Sequence, residues 1–443
     1  MAMTRDIEAL IDGYAREQFR EQEPGCALLV VRGDDTLFRG AYGMAHLELD
    51  VPMRPELRFR LASLTKQFVA VAVLKLRDAG ALSLEDDFRR WLPEWRMTAQ
   101  PITLAHMLRH TSGLKTYEEP SNQQLLAAHV TATSVYDMVR LAKDDEPEHA
   151  PDERYTYNNY AYMLLGLVIE RAADRPLEEY LREALFVPAD MHATEFDDLT
   201  RLLPGRVEGY QLGPGGVERA PYINMRVVGG AGGLIAPIDD LGRWYGALHR
   251  GLILKQPSLE EAWRDHQLRN GEWTGYGYGW GLGSYDGERF VQHGGQIYGF
   301  YNHAVFFPDQ GLAAVVLSNL LPNFPEPEWL SLRAALAALG KPYREPEPVM
   351  ISPMTFKRLE GVYTSGRMRA VVRVSHDRVW AKVGIFPWRE LIPIADDTFA
   401  LPRSFHRYTA VGETLVATDV LGGRPVVWQR SAEPLPEAEQ LPS

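Results

Sequence analysis

The sequence is nearly free of cysteine. Cys26 is the single cysteine among 443 residues, so no disulfide can form within the chain. It lies in the apolar run from Cys26 to Val31, away from any predicted helix start or neighbouring base that would activate a thiolate. We therefore expect Cys26 to be a small buried hydrophobic side chain.

The chain also lacks an excess of basic residues and a long apolar run. Its net charge of −12 and its isoelectric point near 5.5 argue against a nucleic acid or an anionic membrane as a partner. No apolar segment approaches the length of a membrane span. The first residues contain no apolar signal core, and Ile7, Leu10, Ile11 and Tyr14 instead mark an amphipathic helix. We expect a cytoplasmic protein.

Motifs for nucleotide and metal binding are missing as well. The glycines between Gly229 and Gly233 lack the spacing and the downstream acid of a dinucleotide site, and no Walker A sequence occurs. His106 and His110 are four residues apart on a predicted helix, as in a zinc site. However, Met107 occupies the position of the zincin glutamate, and the sequence suggests no third ligand. We predict neither a cofactor nor a bound metal.

The length of the chain predicts two or three structural units. Strand patterns near the start and between residues 278 and 318 bracket a helical region at about 84–203, which predicts an α/β sheet layer, a helical lobe and a cleft between them. The predicted strands are 26–31, 36–42, 278–282, 290–292, 303–307 and 312–318. The predicted helices are 61–76, 103–109, 123–128, 134–141, 159–173, 177–185, 238–248 and 329–339.

A separate unit is predicted in the last hundred residues. Residues 343–353 are rich in proline and charge, which is typical of a linker. From 354 to 431 about eight short segments of alternating polarity follow at regular spacing, and they predict a small antiparallel β-barrel. Residues 432–443 have the composition of a disordered tail.

The stretch from Leu61 to Leu76 carries the strongest functional signal. It predicts a buried helix, apolar nearly all round, with Ser63 in the first turn and Lys66 in the next. A serine at a helix N-terminus lies beside unpaired N–H groups that stabilise negative charge, and a residue three positions later shares its face. A buried amine can lose its charge near neutral pH and accept a proton from a hydroxyl. Ser63 and Lys66 are therefore predicted to form a serine–lysine nucleophile.

The same S-x-x-K pattern occurs a second time, from Ser112 to Lys115. Gly113 stands where the preceding short helix must stop, so Ser112 lies near the negative end of a helix. No helix continues beyond it to hold Lys115 in place. We therefore assign the nucleophile to Ser63.

A tyrosine and an asparagine could complete the site. Tyr157 and Asn159 stand at the start of an apolar predicted helix, where the tyrosine could point into the cleft and the asparagine could orient the lysine and a substrate amide. The alternative is a capping segment whose aromatic ring packs on the helix. The same Y-x-N pattern also occurs from Tyr222 to Asn224, so the pattern alone does not decide.

A histidine and two glycines lie between two predicted strands. In the segment from His293 to Gly295, the glycines would let a backbone approach a ligand closely. The alternative is a tight hairpin turn with an exposed histidine.

Three motifs carry a family resemblance, in this order along the chain: Ser63-x-x-Lys66, Tyr157-x-Asn159 and His293-x-Gly295. Over roughly residues 5–340 the chain resembles the serine β-lactamase and penicillin-binding-protein superfamily, in its class C and D-aminopeptidase-like branch. The resemblance implies an antiparallel sheet flanked by helices plus an all-helical lobe for residues 1–342. It also implies that the barrel is lipocalin-like; the D-aminopeptidase has two such barrels, whereas this chain has one. The surrounding segments that match are RLASLTKQF, MLRHTSGL, YTYNNYAYMLLGLVIE, GGAGGLIAPIDDLGRW and YGYGWGLG.

The resemblance implies a role for each residue of the first two motifs. Ser63 is expected to be the nucleophile and Lys66 the base that activates it. Tyr157 is expected to relay a proton to the leaving group, and Asn159 to contact the lysine and the substrate.

The third motif is expected on a strand that lines the cleft. The resemblance implies that the N–H groups of Ser63 and Gln296, next to Gly295, bind the oxyanion. In β-lactamases and carboxypeptidases this motif usually begins with a lysine, whose charge helps to hold a substrate carboxylate. His293 is neutral much of the time at pH 7. The difference favours esters, amides or peptides held at their N-terminus over β-lactams.

We therefore predict a serine hydrolase that works through an acyl-enzyme and is of the D-aminopeptidase or amidase type. A carboxylesterase or a weak β-lactamase is the alternative within the superfamily. An inactive protein that binds peptidoglycan fragments is the alternative of another class. The expected partner is a small peptide, amide or ester substrate, with a homodimer as one option for assembly. The barrel is expected to cover the cleft and restrict the substrates.

Overall fold

The computed structural model describes residues 2–116, 132–213, 215–323, 325–351, 357–365, 368–375, 378–384, 387–422 and 425–436. The predicted helix at 123–128 and most of the predicted tail lie outside these ranges. Within them, no helix combines the length and the apolar character needed to span a bilayer.

The helices and strands follow one another along the chain as follows. The helices are α1 (Ala2–Arg16), α2 (Thr65–Asp78), α3 (Leu104–Leu108), α4 (Val135–Val139), α5 (Asn159–Ala173), α6 (Leu177–Leu181), α7 (Ile238–His249), α8 (Gln256–Ala262) and α9 (Pro327–Ala338). The strands before the barrel are β1 (Cys26–Arg32), β2 (Asp35–Tyr42), β3 (Met44–His46), β4 (Val51–Pro52), β5 (Phe59–Arg60), β6 (Glu195–Phe196), β7 (Tyr210–Gly213), β8 (Gly216–Arg219), β9 (Leu234–Ala236), β10 (Gly281–Tyr285), β11 (Glu288–Ile297), β12 (Phe300–Phe307), β13 (Leu312–Ser318) and β14 (Leu320–Leu321). The barrel strands are β15 (Gly361–Ser365), β16 (Met368–Ser375), β17 (Arg378–Val383), β18 (Arg389–Pro393), β19 (Thr398–Ala400), β20 (His406–Val411), β21 (Thr414–Asp419) and β22 (Val426–Arg430).

A six-stranded antiparallel sheet forms the centre of the first unit, in the order β10-β11-β12-β13-β1-β2. Helices cover both of its faces. Along β1, Leu29 and Val31 pack with α2 and α7, whereas Leu28 and Val30 pack with α1 and α9. Because alternate side chains of a strand point to opposite faces, a strand covered on both sides needs an unbroken apolar run. The fold class is therefore the predicted one, and Cys26 is buried in this core.

The helix α2 differs from its predicted bounds. It begins at Thr65 rather than at Leu61, and a single 3-10 turn, Ala62–Leu64, precedes it. The φ angle of Ala62 is +50°, which an α-helix cannot contain, so the helix starts only after this turn. Every residue from Thr65 to Leu74 is buried, and α2 joins the sheet to the helical lobe by packing against α5.

Other differences concern glycine-rich segments. The predicted strand at 278–282 lies at Gly281–Tyr285, and β11 runs without a break through the segment from His293 to Gly295. That segment is therefore a strand and not a hairpin turn. The hairpin of β7 and β8 and the helix α8 were not predicted, and the lobe also contains the short strand β6, which pairs with β9.

The eight strands of the last unit close into an antiparallel barrel, in which β15 pairs with both β16 and β22. The barrel packs on the sheet layer. Phe405 lies with its ring centroid 4.8 Å from that of Trp329 on α9, and Leu421 joins the same apolar cluster. The Leu421 carbonyl accepts a 2.6 Å hydrogen bond from the N–H of Ser284 on β10. The barrel therefore borders the side of the sheet that carries β10, β11 and α9.

Candidate active site

The predicted serine–lysine pair is in contact. Ser63 lies in the 3-10 turn and is partly exposed, whereas Lys66 in the first turn of α2 is completely buried. The Nζ atom of Lys66 is 3.0 Å from the Oγ atom of Ser63. The three-residue spacing thus joins the two side chains, although one of them precedes the α-helix.

The surroundings of Lys66 define where its nitrogen can donate. Nζ donates to Oδ1 of Asn159 at 2.6 Å and to the carbonyl oxygen of Ala231 at 2.8 Å. Neither of these atoms can donate a hydrogen in return, whereas a serine hydroxyl can both donate and accept. In the neutral amine, two N–H bonds can donate to Asn159 and Ala231 while the lone pair accepts the hydroxyl hydrogen of Ser63. The geometry suits Lys66 as a proton acceptor.

The backbone next to Ser63 is held in an uncommon conformation. Ala62 has a positive φ angle of +50°, which is unusual for a residue with a side chain. The preceding residue is fixed from two sides, because the Leu61 N–H donates to Leu234 at 2.8 Å and the Leu61 carbonyl accepts from Asn302 at 3.3 Å. Such conformations persist where the surrounding structure determines them, and they cluster at functional sites. No pattern in the sequence indicated this turn.

The third motif, from His293 to Gly295, lies on the edge of β11 that faces the 3-10 turn of Ser63. The β10–β11 pairing ends at Gly281 and Gln292, and the next residues of β11 approach Ser63's turn. A Cβ atom at Gly295 would lie 2.3 Å from the carbonyl oxygen of Leu61. Glycine at this position therefore permits the close approach, and Gln296 follows it at the mouth of the site, lining the same cavities as Ser63.

His293 is buried and neutral. Its Nε2 accepts a 2.8 Å hydrogen bond from the hydroxyl of Tyr276, and its Nδ1 donates to the carbonyl oxygen of Gly294 at 2.5 Å. Burial and then the positive charge of Lys66 lower the pKa of His293 to about 3. The site therefore has no cation where a lysine would stand, and the histidine is not exposed as the hairpin alternative required.

Tyr157 lies above the lysine. The Nζ atom of Lys66 is 4.8 Å from the centroid of the Tyr157 ring, and the ring lies 4.3 Å from that of His110. The backbone on both sides of Tyr157 is bonded to His110, whose carbonyl accepts from Thr156 at 2.8 Å and whose Nδ1 accepts from Asn158 at 3.0 Å. His110 is itself buried, and its contacts position the tyrosine.

The segment that carries His110 is supported by a partly buried acid. Asp152 accepts a 2.7 Å hydrogen bond from the hydroxyl of Thr111 and lies 3.2 Å from Nε2 of His106 and 3.0 Å from Nε2 of His266. His106 therefore bonds to Asp152, whereas His110 bonds to the backbone of Thr156 and Asn158.

The competing motifs take other roles. In the second S-x-x-K pattern, Ser112 is buried and Lys115 pairs with Asp145 at 3.5 Å. In the second Y-x-N pattern, Asn224 caps a 3-10 turn and Tyr222 is exposed. In the first Y-x-N pattern, the helix cap is Asn158, which leaves Asn159 to bond the lysine.

Two cavities meet at Ser63, and both are also lined by Asn159 and Gln296. The smaller cavity measures about 170 Å³ and is mostly apolar. The larger cavity measures about 480 Å³ and contains Tyr157 and His293. The apolar lining comes from Met138, Ala142, Tyr160, Met163, Ile223, Val228 and Ile297.

Known proteins share this fold, and some are also similar in sequence. Penicillin-binding protein 4* of Bacillus subtilis is 28% identical over 398 residues, which are 84% of this chain and 87% of that protein. The octameric penicillin-binding protein homologue from Pyrococcus abyssi superposes with a TM-score of 0.66 at 21% identity, covering 96% of this chain and 99% of that one. A D-stereospecific amidohydrolase from Streptomyces sp. superposes with a TM-score of 0.62 at 25% identity, covering 76% of this chain and 98% of that one.

The family assignment rests on most of the first unit. Residues 7–338 match the family described as Beta-lactamase. This range includes the three motifs, the sheet, the helical lobe and α9. The chain therefore belongs to the β-lactamase family of serine hydrolases.

Proposed function

We propose that the protein is a hydrolase of the D-aminopeptidase or amidase type. It cleaves small amides and peptides through an acyl-enzyme on Ser63. The observation that carries this proposal is the 3.0 Å contact between Ser63 Oγ and Lys66 Nζ, at a point where two cavities meet. A nucleophile needs an adjacent base and room for a substrate, and this arrangement supplies both.

The proton path follows from the contacts of Lys66. As the Ser63 oxygen attacks the carbonyl carbon, the hydroxyl proton moves to the lone pair of Lys66 and the carbonyl electrons move to the oxygen. The bond to the leaving group then breaks, and the leaving nitrogen or oxygen takes up one proton. Tyr157, whose ring covers the lysine, is the proposed relay for that proton. Water then attacks the acyl carbon and gives one proton to Lys66. The bond between this carbon and Ser63 Oγ breaks, the oxygen takes the proton from Lys66, and the carboxylic acid leaves.

The proposed oxyanion donors are the N–H groups of Ser63 and Gln296. The close approach of Gly295 to the Ser63 turn brings these two backbone segments together. Donors fixed before the reaction stabilise the developing charge without reorganisation, and one such donor contributes about 3–4 kcal/mol to catalysis.

The charge of the site supports neutral acyl substrates. His293 is buried and uncharged, so this position offers no fixed cation to a substrate carboxylate. β-Lactams and peptides with a free C-terminus are therefore disfavoured. The likeness to a D-stereospecific amidohydrolase supports an amide with a D-configured residue as the substrate.

A carboxylesterase is the second candidate. The 170 Å³ apolar cavity beside Ser63 fits a short acyl or aryl group, which an ester substrate would present. Esters also have better leaving groups than amides, so they depend less on protonation by Tyr157.

Hydrolysis of a substrate panel tests the proposal. The panel contains nitrophenyl esters, D- and L-aminoacyl anilides and a chromogenic cephalosporin, and we expect turnover of the D-aminoacyl anilides. Ser63→Ala should abolish turnover, whereas Ser112→Ala, which alters the other S-x-x-K pattern, should retain it. Turnover of esters alone would indicate the esterase. A folded protein without any turnover would support the inactive peptidoglycan-fragment-binding protein instead.

A further inference from the structure

The larger cavity at Ser63 contains a carboxylate that the proposed reaction does not use. This residue is Glu328, at the start of α9. Among the described residues that line the cavity there is no lysine or arginine. Its two histidines, His293 and His303, are neutral at pH 7, because burial above all lowers the pKa of each to about 3. Glu328 is the one carboxylate of this described lining.

The contacts of Glu328 are with neutral groups. Nε2 of His303 lies 3.6 Å from the carboxylate and 2.7 Å from Oε1 of Gln292. Since the Gln292 oxygen only accepts, His303 donates to it, and the amide nitrogen of Gln292 is left to bond Glu328. Burial, together with the negative charges of Asp419 and Glu326, raises the pKa of the Glu328 carboxyl.

A carboxylate in such a position lacks compensation. Removing an ion from water is costly unless a counterion accompanies it, and here the side chain is about a fifth exposed and faces the cavity. An ammonium group that enters from the solvent would supply the missing charge and three N–H donors. The same charge repels a substrate carboxylate.

We propose that Glu328 binds a primary ammonium group of the substrate in the cavity that Ser63 also lines. The inference rests on the proposed hydrolase function and assigns to Glu328 the recognition of the free amine near the scissile carbonyl of an amide, ester or peptide. Because Glu328 does not touch the reacting atoms, it determines specificity through binding and leaves the chemical step to Ser63.

Matched substrates test the inference. The anilides of D- and L-phenylalanine are compared with their N-acetyl forms, which lack only the positive charge. We expect the wild-type kcat/KM to favour the free amine. Glu328→Gln should reduce this preference by about tenfold or more, the effect of losing one charge-assisted contact, and the change should appear in KM rather than in kcat.

A control variant separates this contact from a general charge effect. Glu326→Gln removes the same charge two residues away, from a side chain that bonds Arg389 at 3.3 Å and lines the barrel interior. We expect this variant to keep the preference for the free amine or to increase it, because loss of the Glu326 charge lowers the pKa of Glu328. If both variants lose the preference for the free amine to the same extent, the inference is overturned.

The pH dependence of the wild-type protein gives a test without any variant. The ammonium binds the charged carboxylate, whose pKa is raised, so KM for the free amine should fall as the pH rises from 6 towards 8. It should rise again as the amine itself loses its proton near pH 8. KM for the N-acetyl form should stay level. The charged or titratable groups around Glu328 include His303 and Tyr301 on β12, Glu326 with its partner Arg389, and Asp419 with His406 and Arg407 near it.

A neutral fluorophosphonate distinguishes failure of this inference from failure of the proposed function. If Ser63 reacts with the probe at the same rate in the wild type and in Glu328→Gln, but the two matched substrates are hydrolysed equally by both proteins, the ammonium site is refuted and the hydrolase stands. If Ser63 does not react in either protein, the proposed function itself fails.

Discussion

Gly295→Ala tests how closely β11 must approach the nucleophile. The added Cβ would lie 2.3 Å from the Leu61 carbonyl oxygen, a backbone atom that cannot rotate away. The two backbones must separate by about 1 Å before the contact reaches the 3.4 Å of ordinary packing. A displacement of about 1 Å at a reacting group costs roughly 100-fold in rate. We therefore expect kcat/KM for a nitrophenyl ester to fall about 100-fold.

The neighbouring glycine provides the matched comparison. A Cβ at Gly294 would meet nothing closer than 3.8 Å, so the backbone does not have to move. Gly294 also lines the larger cavity. Gly294→Ala should lower kcat/KM less than tenfold. Both variants are measured for kcat/KM and for melting temperature, which shows whether they are folded. A Gly295→Ala protein that is as active as Gly294→Ala would refute the close approach as a requirement.

Three further perturbations have defined outcomes. Lys66→Met should lower kcat by about 10²–10⁴ with circular dichroism unchanged, because the general base is lost; a loss below tenfold would contradict this role. Asp152→Asn should lower the melting temperature at pH 7, and the deficit should shrink as the pH falls below about 4. Burial alone would raise the pKa of Asp152, but hydrogen bonds from His106 and Thr111 outweigh burial and hold the pKa below its usual value. The stabilisation by Asp152 is therefore present above pH 4 and is lost in acid. A deficit that is as large at pH 2 as at pH 7 would contradict that assignment. A chain that ends at Lys341 should melt at a lower temperature, because Trp329 loses its contact with Phe405, and it should hydrolyse a wider range of substrates. Unchanged relative rates across the panel would refute the covering role of the barrel.

Periodic segments were predictable from the sequence. The helix α5 has the predicted bounds, 159 to 173, because its apolar pattern is long and Asn158 supplies a cap at its start. The eight barrel strands lie within the segment, 354–431, for which about eight strands were predicted, since alternation and regular turns specify strands locally. The contact of Ser63 with Lys66 followed from a spacing that a helical turn imposes.

The features that were not predicted depend on contacts between distant residues. The turn at Ala62 is held by Leu234 and Asn302, which are far away in the sequence. The bounds of β10 were shifted because the glycine-rich segment before it has no alternating pattern. Glu328 lies in a helix whose apolar pattern indicates only core packing, and the fold alone brings it to the cavity of Ser63.

The most direct test of the account is to locate the acyl group during turnover. An ester or D-aminoacyl substrate is mixed with the protein, the reaction is quenched in acid within its first turnovers, and the intact mass and the peptide masses are measured. We predict a mass increase equal to the acyl group on the peptide that contains Ser63, and no such increase in Ser63→Ala. Turnover without any adduct, together with full activity of Ser63→Ala, would contradict the central claim.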